Sequence, residues 1–140
     1  MRIVLDTSIV VAALRSRRGA SNAVMRLVAR RRVVAVATPP LFLEYEAVLR
    51  RAEQRLSHGL SSERLDEFLA EFAAILEPVE VHFQWRPQLR DPADEMVLEA
   101  AINGRADAVI THNAKDFAEA GKRFGILVIG PADLLGRMKP

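Results

Sequence analysis

The stretch Arg2-Ile3-Val4-Leu5-Asp6-Thr7-Ser8 places an acid and two hydroxyl side chains directly after a short apolar run. A wholly apolar run of this kind is typical of a strand that is buried on both faces of a parallel sheet. Similar runs recur at residues 33–37, 108–111 and 126–129, with helical patterns between them. This alternation predicts an α/β fold, a three-layer α/β/α sandwich around a short, mostly parallel central sheet. We expect one domain over residues 1–140.

Apolar residues at helical spacing fill the segments between these strands. Ser61 or Ser62 is a suitable N-cap for a helix that Pro78 would stop. The other predicted helices cover residues 7–14, 21–30, 41–55 and 93–103, with a loop or short helix at 113–120 and a terminal helix from Pro131. Residues 79–81 are predicted to form a short strand, and the polar residues 82–92 a loop.

The composition excludes several classes of protein. The chain has no cysteine, which excludes disulfides, thiolate metal sites and a cysteine nucleophile. No apolar run approaches the roughly 20 residues that span a bilayer. The few residues before Asp6 are too short for a signal-peptide core, so we expect a cytoplasmic protein with no membrane partner. Arginine is concentrated in residues 1–60 and acids in residues 61–140, which is a mild indication of a polyanionic partner.

Four carboxylates from distant segments are predicted to meet at one end of the sheet. Asp6 follows the first strand, Thr111 ends the strand at 108–111, and Asp116 follows it. Asp94 opens the helix that leads into that strand, and Glu44 lies early in the helix after the second strand. The carboxyl ends of parallel strands share one face of the molecule, where open α/β sheets bind ligands.

This acidic set indicates a metal site. Carboxylates packed together repel one another, and a cation relieves the repulsion. Oxygen ligands without His or Cys favour Mg²⁺ or Mn²⁺, and such ions support in-line cleavage of a phosphodiester by water. We therefore predict metal binding by Asp6, Glu44, Asp94 and Asp116.

Several alternatives remain open on spacing alone. Glu46 competes with Glu44, and Asp91 or Glu95 could replace Asp94, which could also be a simple N-cap. The hydroxyls of Thr7 and Ser8 could cap the following helix, and Thr111 could end its strand.

With these motifs in hand, the chain resembles the PIN-domain nucleases, and among them the toxin components of type II toxin–antitoxin pairs in the branch related to the VapC toxins. The matching stretches, in order, are Ile3-Val4-Leu5-Asp6-Thr7-Ser8, Leu43-Glu44-Tyr45-Glu46-Ala47-Val48-Leu49, Asp91-Pro92-Ala93-Asp94-Glu95 running to Ala100-Ala101, and Ala106-Asp107-Ala108-Val109-Ile110-Thr111-His112-Asn113-Ala114-Lys115-Asp116-Phe117. The resemblance implies a PIN fold, Mg²⁺- or Mn²⁺-dependent endoribonuclease activity, a homodimer, and a cognate antitoxin that blocks the site.

The resemblance also assigns roles by motif. It implies that Asp6, Glu44 (rather than Glu46), Asp94 and Asp116 are metal ligands. It implies further that the hydroxyls of Thr7 and Thr111 support metal-bound water or phosphate. Asn113 stands where many PIN nucleases carry Asp, so whether one or two metals bind is left open.

The functional hypothesis is therefore a growth-arresting RNA-cleaving toxin. Its alternatives are a housekeeping PIN nuclease without antitoxin and a non-catalytic RNA-binding or interaction module. Neither the RNA target nor the antitoxin can be read from these residues. Secondary candidates are His112 near the site, Arg30–Arg32 with Arg50, Arg51 and Arg55 for RNA phosphates, Trp85 flanked by Arg86 and Arg90 for base stacking, and Leu41-Phe42-Leu43 for antitoxin docking. For each of these, an ordinary structural role is the competing explanation.

Overall fold

The computed structural model describes residues 1–84 and 89–139, except for the side chain of Ala52. A five-stranded sheet lies at its centre, in the order β3-β2-β1-β4-β5, and all neighbouring strands are parallel. The strands are β1 (Arg2–Leu5), β2 (Val34–Ala37), β3 (Glu77–Pro78), β4 (Ala108–Ile110) and β5 (Leu127–Ile129). The predicted α/β fold with a short parallel sheet is confirmed.

Helices connect successive strands, as parallel pairing requires. They are α1 (Thr7–Arg15), α2 (Ala20–Ala29), α3 (Pro39–Leu49), α4 (Ala52–His58), α5 (Ser62–Ile75), α6 (Pro92–Asn103), α7 (Ala114–Phe124) and α8 (Pro131–Arg137). The side chains of β1 and β4 are almost wholly buried, because helices pack against the sheet there. Ser61 caps α5 by accepting a hydrogen bond from the Arg64 amide, as predicted.

The single helix predicted over 41–55 is wrong, because the segment forms two helices. Helix α3 already begins at Pro39 with Thr38 as its N-cap, and Arg51 adopts an extended backbone that starts α4. Helix α3 buries Leu41, Tyr45, Val48 and Leu49, whereas none of the described side chains of α4 is buried and Leu56 is 88% exposed. None of the described side chains of residues 50–61 is buried, so core packing does not hold α4 on the axis of α3.

Two smaller predictions also fail. The short strand lies at Glu77–Pro78 rather than at 79–81, because α5 ends at Ile75, before Pro78, and the buried Leu76 turns the chain directly towards β2. Proline is tolerated there because β3 is an edge strand. Residues 114–124 form a full helix rather than a loop or short helix. It ends at Gly125, whose φ of 67° is the left-handed conformation that a C-cap glycine supplies.

The order of the strands decides where a ligand can bind. From β1 the chain moves out to β2, and from β4 it moves out to β5 on the opposite side, although β1 and β4 are neighbours. Connections that leave two adjacent strands in opposite directions open a crevice at their carboxyl ends. Asp6 follows β1 and Thr111 follows β4, so both lie at this crevice.

Candidate active site

Asp6 is the most firmly held acid of the site. Its backbone amide donates to the carbonyl oxygen of Ile110, and its side chain is only 5% exposed. The Thr111 hydroxyl donates to Asp6 Oδ2 at 2.6 Å, and the Ser8 hydroxyl donates to the same oxygen at 2.8 Å. The other oxygen, Oδ1, accepts no hydrogen bond from any described residue and is not fully buried. Asp6 therefore keeps one oriented oxygen for a cation.

Both hydroxyls that bind Asp6 are themselves fixed. Thr111 is 1% exposed and accepts from the Asn113 amide at 2.9 Å, and Ser8 accepts from the His112 amide at 3.3 Å. The backbone after β4 thus holds the side chain after β1. Sequence reasoning selected Thr111 but treated Ser8 only as a possible helix cap. The signal for Ser8 was its position two residues after an Asp, where a hydroxyl reaches that carboxylate.

Thr7, the third hydroxyl of interest, is placed differently. Its Oγ1 is the one buried side-chain polar atom without a hydrogen-bond partner in the part of the chain that is described. Asp6 is the N-cap of α1, and no side chain completes that cap. Neither Thr7 nor Ser8 therefore caps the helix, and the role predicted for Thr7 stays a prediction.

Asp94 lies near several other carboxylates. It is half-buried in the first turn of α6, and burial raises its pKa from 3.8 to about 6, with further contributions from the charges of Asp6, Asp91, Asp116 and Glu95. Such a shift arises where burial disfavours the charged form and other carboxylates lie nearby. The structure thus brings Asp94 together with Asp6 and the exposed Asp116, as predicted.

The two alternatives to Asp94 are engaged elsewhere. Asp91 is the N-cap of α6, and its Oδ1 accepts from the Ala93 amide at 2.9 Å. Glu95 is 5% exposed, and its Oε1 accepts from the Leu89 amide at 2.6 Å. Both side chains hold backbone around the start of α6. Asp94 is not the cap, which favours it as the ligand of this segment.

The two competing glutamates of α3 differ in their contacts. Glu46 forms an ion pair with Arg50, with 3.4 Å between Oε2 and the guanidinium nitrogen. Glu44 is half-buried and makes no hydrogen bond or ion pair with any described residue. Glu44 is not among the charges that raise the pKa of Asp94. Asp94 is therefore affected by the charges of Asp6 and Asp116 but not by that of Glu44.

Tyr45 links α3 to the end of β1. It is fully buried, and its hydroxyl donates to the Leu5 carbonyl oxygen, one residue before Asp6. Burial, and then the charge of Asp6, raises the pKa of Tyr45 well above its usual value. Sequence reasoning placed Tyr45 on the inner face of its helix but assigned it no part in the site. A tyrosine directly after a candidate ligand was the available signal.

The donor set fits a hard divalent cation in its chemistry. Its members are carboxylate and hydroxyl oxygens, and a cation would offset both the burial and the neighbouring negative charges that raise the pKa of Asp94. Over residues 1–84 and 89–139, no three Asp, Glu or His side chains stand close enough together to hold a metal ion as they are placed. Binding would therefore require the less buried acids to move towards Asp6.

A comparison with families of known proteins supplies the identification. A family model described as PIN domain matches residues 2–115. The chain belongs to the PIN domain family. Proteins of this family are nucleases, and they generally use divalent metal ions.

A solved structure has the same fold as this PIN domain. A chain in the crystal structure of VapBC2 from Rickettsia felis bound to a DNA fragment from their promoter superposes with a TM-score of 0.60. The two sequences are 17% identical, and the match covers 93% of this chain and 98% of the other. The comparison with curated proteins finds no match. The PIN-type fold expected from the motifs is confirmed.

The basic residues of this PIN domain fall in several places. Arg30–Arg32 precede β2 and so lie at the amino end of the sheet, away from Asp6. Arg50 pairs with Asp66 and Glu46, and Arg55 donates to the Ser62 hydroxyl. These partners account for Arg50 and Arg55 without RNA. Trp85 and Arg86 lie outside the described residues.

The remaining candidates take structural positions. The His112 amide supports Ser8, and its ring Nε2 lies 3.0 Å from the hydroxyl of Ser21, which is 3% exposed. Leu41 is buried in the core, Phe42 is half-buried, and Leu43 is 61% exposed. In the described part of the chain, no helix is long and apolar enough to cross a membrane.

Proposed function

We propose that this PIN domain is a metal-dependent endoribonuclease that hydrolyses RNA phosphodiester bonds and acts as a toxin neutralised by a cognate antitoxin. The observation that carries the proposal is the oriented Asp6 carboxylate, held by two hydroxyls beside an Asp94 whose pKa is raised by burial and by surrounding acids. Stability alone does not explain such a group, because mutual repulsion of carboxylates costs folding free energy. We take residues 1–140 as one nuclease domain.

In this proposal Asp6, Glu44, Asp94 and Asp116 hold Mg²⁺ or Mn²⁺. The bound ion would supply an activated water and would stabilise the leaving oxygen of the cleaved linkage. Thr111 and Ser8 keep Asp6 in one orientation, so that its free Oδ1 needs no rearrangement. Tyr45 holds the peptide before Asp6 against α3, the helix that carries Glu44. Thr7 stands next to Asp6 with a hydroxyl that no described group uses.

The proposed partners rest on similarity. The motif resemblance to VapC-related toxins and the fold shared with a chain of the VapBC2 crystal structure support an antitoxin partner. RNA as the substrate, a homodimer and a cytoplasmic location are parts of the same proposal. A housekeeping PIN nuclease would share the chemistry and lack the antitoxin. The presence of all four predicted acids argues against a purely non-catalytic module.

The test is cleavage of a labelled RNA mixture by the purified chain in Mg²⁺, in Mn²⁺ and in EDTA. Asp6→Asn keeps the size of the side chain and removes its charge, and we expect it to abolish the metal-dependent cleavage. Asp133→Asn is the matched control, because Asp133 is an exposed carboxylate that pairs with Arg137 on α8, outside the site. Cleavage that persists in EDTA or in Asp6→Asn would contradict the proposal.

A further inference from the structure

A crevice of about 470 Å³ opens beside Asp94. Its walls come from the segment before α6, from the start of α6 and from α7. The charged side chains that line it are Arg90, Asp91, Asp94, Lys115, Asp116 and Glu119. Two cations thus stand among the carboxylates that we propose as ligands and their neighbours.

Neither basic side chain forms a contact with a described residue that would stabilise the fold. Arg90 and Lys115 are exposed, and neither forms a hydrogen bond or ion pair with any described residue. Glu119 lies four residues after Lys115 on α7, yet they form no ion pair, and this order of charges is the weaker one in a helix. Lys115 also lies in the first turn of α7, where the helix dipole disfavours a cation. Helix stability therefore does not explain Lys115.

The charge of the crevice depends on the bound ion. Without a divalent cation its four carboxylates outnumber its two basic side chains, so the crevice repels a phosphate. A divalent cation at Asp94 and Asp116 would offset that excess and leave Arg90 and Lys115 to attract an anion. The guanidinium of Arg90 can donate two parallel hydrogen bonds to one phosphate, and Lys115 adds a point charge from α7.

We propose that Arg90 and Lys115 form a binding site for the RNA backbone phosphate next to the one that is cleaved. The inference rests on the proposed function and adds to it the residues that seat the substrate. It differs from the sequence-based idea that Arg30–Arg32, Arg50, Arg51 and Arg55 contact RNA.

The experiment measures binding and cleavage separately. Binding of a short fluorescein-labelled single-stranded RNA of randomised sequence is followed by anisotropy in Ca²⁺, whose irregular coordination suits binding better than in-line cleavage. We expect Lys115→Ala and Arg90→Ala each to weaken binding about tenfold. Each should also reduce the slope of log affinity against log salt concentration by about 0.7 in magnitude. In Mg²⁺ the KM for cleavage should rise while kcat at saturating RNA is retained. Lys115→Arg should restore binding.

Lys122→Ala is the matched control, because Lys122 is an exposed lysine of the same helix and does not line the crevice. Unchanged RNA affinity in both crevice variants would overturn the inference. So would a changed Mn²⁺ affinity without a change for RNA, since the two basic side chains would then act on the carboxylates alone. If the wild-type chain cleaves no RNA and Lys115→Ala still weakens RNA binding, the phosphate site stands and the proposed hydrolysis fails.

Discussion

The two ends of the sheet differ in whether their charged side chains have partners of opposite charge. At the amino end, Arg2 pairs with Glu77, its amide donates to Asp107 Oδ2 at 2.8 Å, and its guanidinium donates to the Gly104 carbonyl oxygen at 3.0 Å. At the carboxyl end, the charges of Asp6 and Asp116 act on Asp94, and none of the three aspartates forms an ion pair with a described basic residue. The first arrangement stabilises the fold, and the second opposes it. Charged groups that lower the stability of a fold are candidates for a functional role.

The largest effect that we expect is a difference in RNA cleavage between variants of the two glutamates of α3. Glu44→Gln should lower cleavage by at least about a hundredfold, because it removes a proposed ligand. Glu46→Gln should leave the rate near that of the wild type, because Glu46 only pairs with Arg50. Cleavage of the same labelled RNA in Mn²⁺ measures both. Equal losses in the two variants would remove the basis for preferring Glu44.

The next effect concerns the hydroxyls that hold Asp6. Thr111→Val preserves shape but removes the donor to Asp6 Oδ2 and the acceptor for the Asn113 amide. We expect metal affinity or activity to fall by about 10- to 100-fold, as for other groups that orient a ligand. Mn²⁺ titration by calorimetry measures the affinity. Wild-type affinity in a folded Thr111→Val protein would show that Asp6 needs no such support.

Tyr45→Phe tests the connection between α3 and β1. The substitution leaves the Leu5 carbonyl oxygen buried without its donor, which costs about 1–3 kcal/mol of unfolding free energy. Denaturant unfolding monitored by circular dichroism measures the loss. Phe42→Leu is the control, because it changes the neighbouring ring on the same helix and keeps the Tyr45 hydroxyl. A smaller loss of stability in Phe42→Leu would show that the hydrogen bond matters beyond aromatic packing. Unchanged stability in Tyr45→Phe would contradict the role assigned to the hydroxyl.

The smallest effect compares the two ends directly. The pKa of Asp94 is about 6 in the folded chain, against 3.8 as the ordinary value, so the folded state binds more protons between these pH values. Stability contributed by this group is present below pH 3.8 and is lost as pH rises to about 6. Asp94→Asn should therefore raise Tm by a few degrees above pH 6 in EDTA, with no gain in acid.

Asp107→Asn is the matched change at the amino end. Because Asp107 accepts the Arg2 amide, we expect the variant to have a lower Tm than the wild type at neutral pH. Thermal melts of both variants across pH measure the contrast. A lower Tm for Asp94→Asn as well would mean that the carboxyl end is as well compensated as the amino end.

The sheet and the placement of three candidate acids were predictable for a clear reason. Apolar runs that must be buried on both faces mark parallel strands, and residues after such strands meet at one end. Asp6, Asp94 and Asp116 do come together there. The break between α3 and α4 was not predictable from periodicity, because the apolar spacing continues to Ala52, whereas none of the described side chains of α4 is buried. Glu44 remains a prediction, supported mainly by the ion pair that occupies Glu46.

The order of residues along the chain determined the α/β class, the parallel strands and the acids that follow them, because burial and backbone geometry act over a few residues. Only the tertiary structure decided how those acids are held. Ser8 and Thr111 are 103 positions apart, yet both donate to the same oxygen of Asp6. It also showed that Glu95 supports backbone and that Lys115 faces the crevice. Such assignments depend on which side chains meet through space, and distance along the chain does not reveal that.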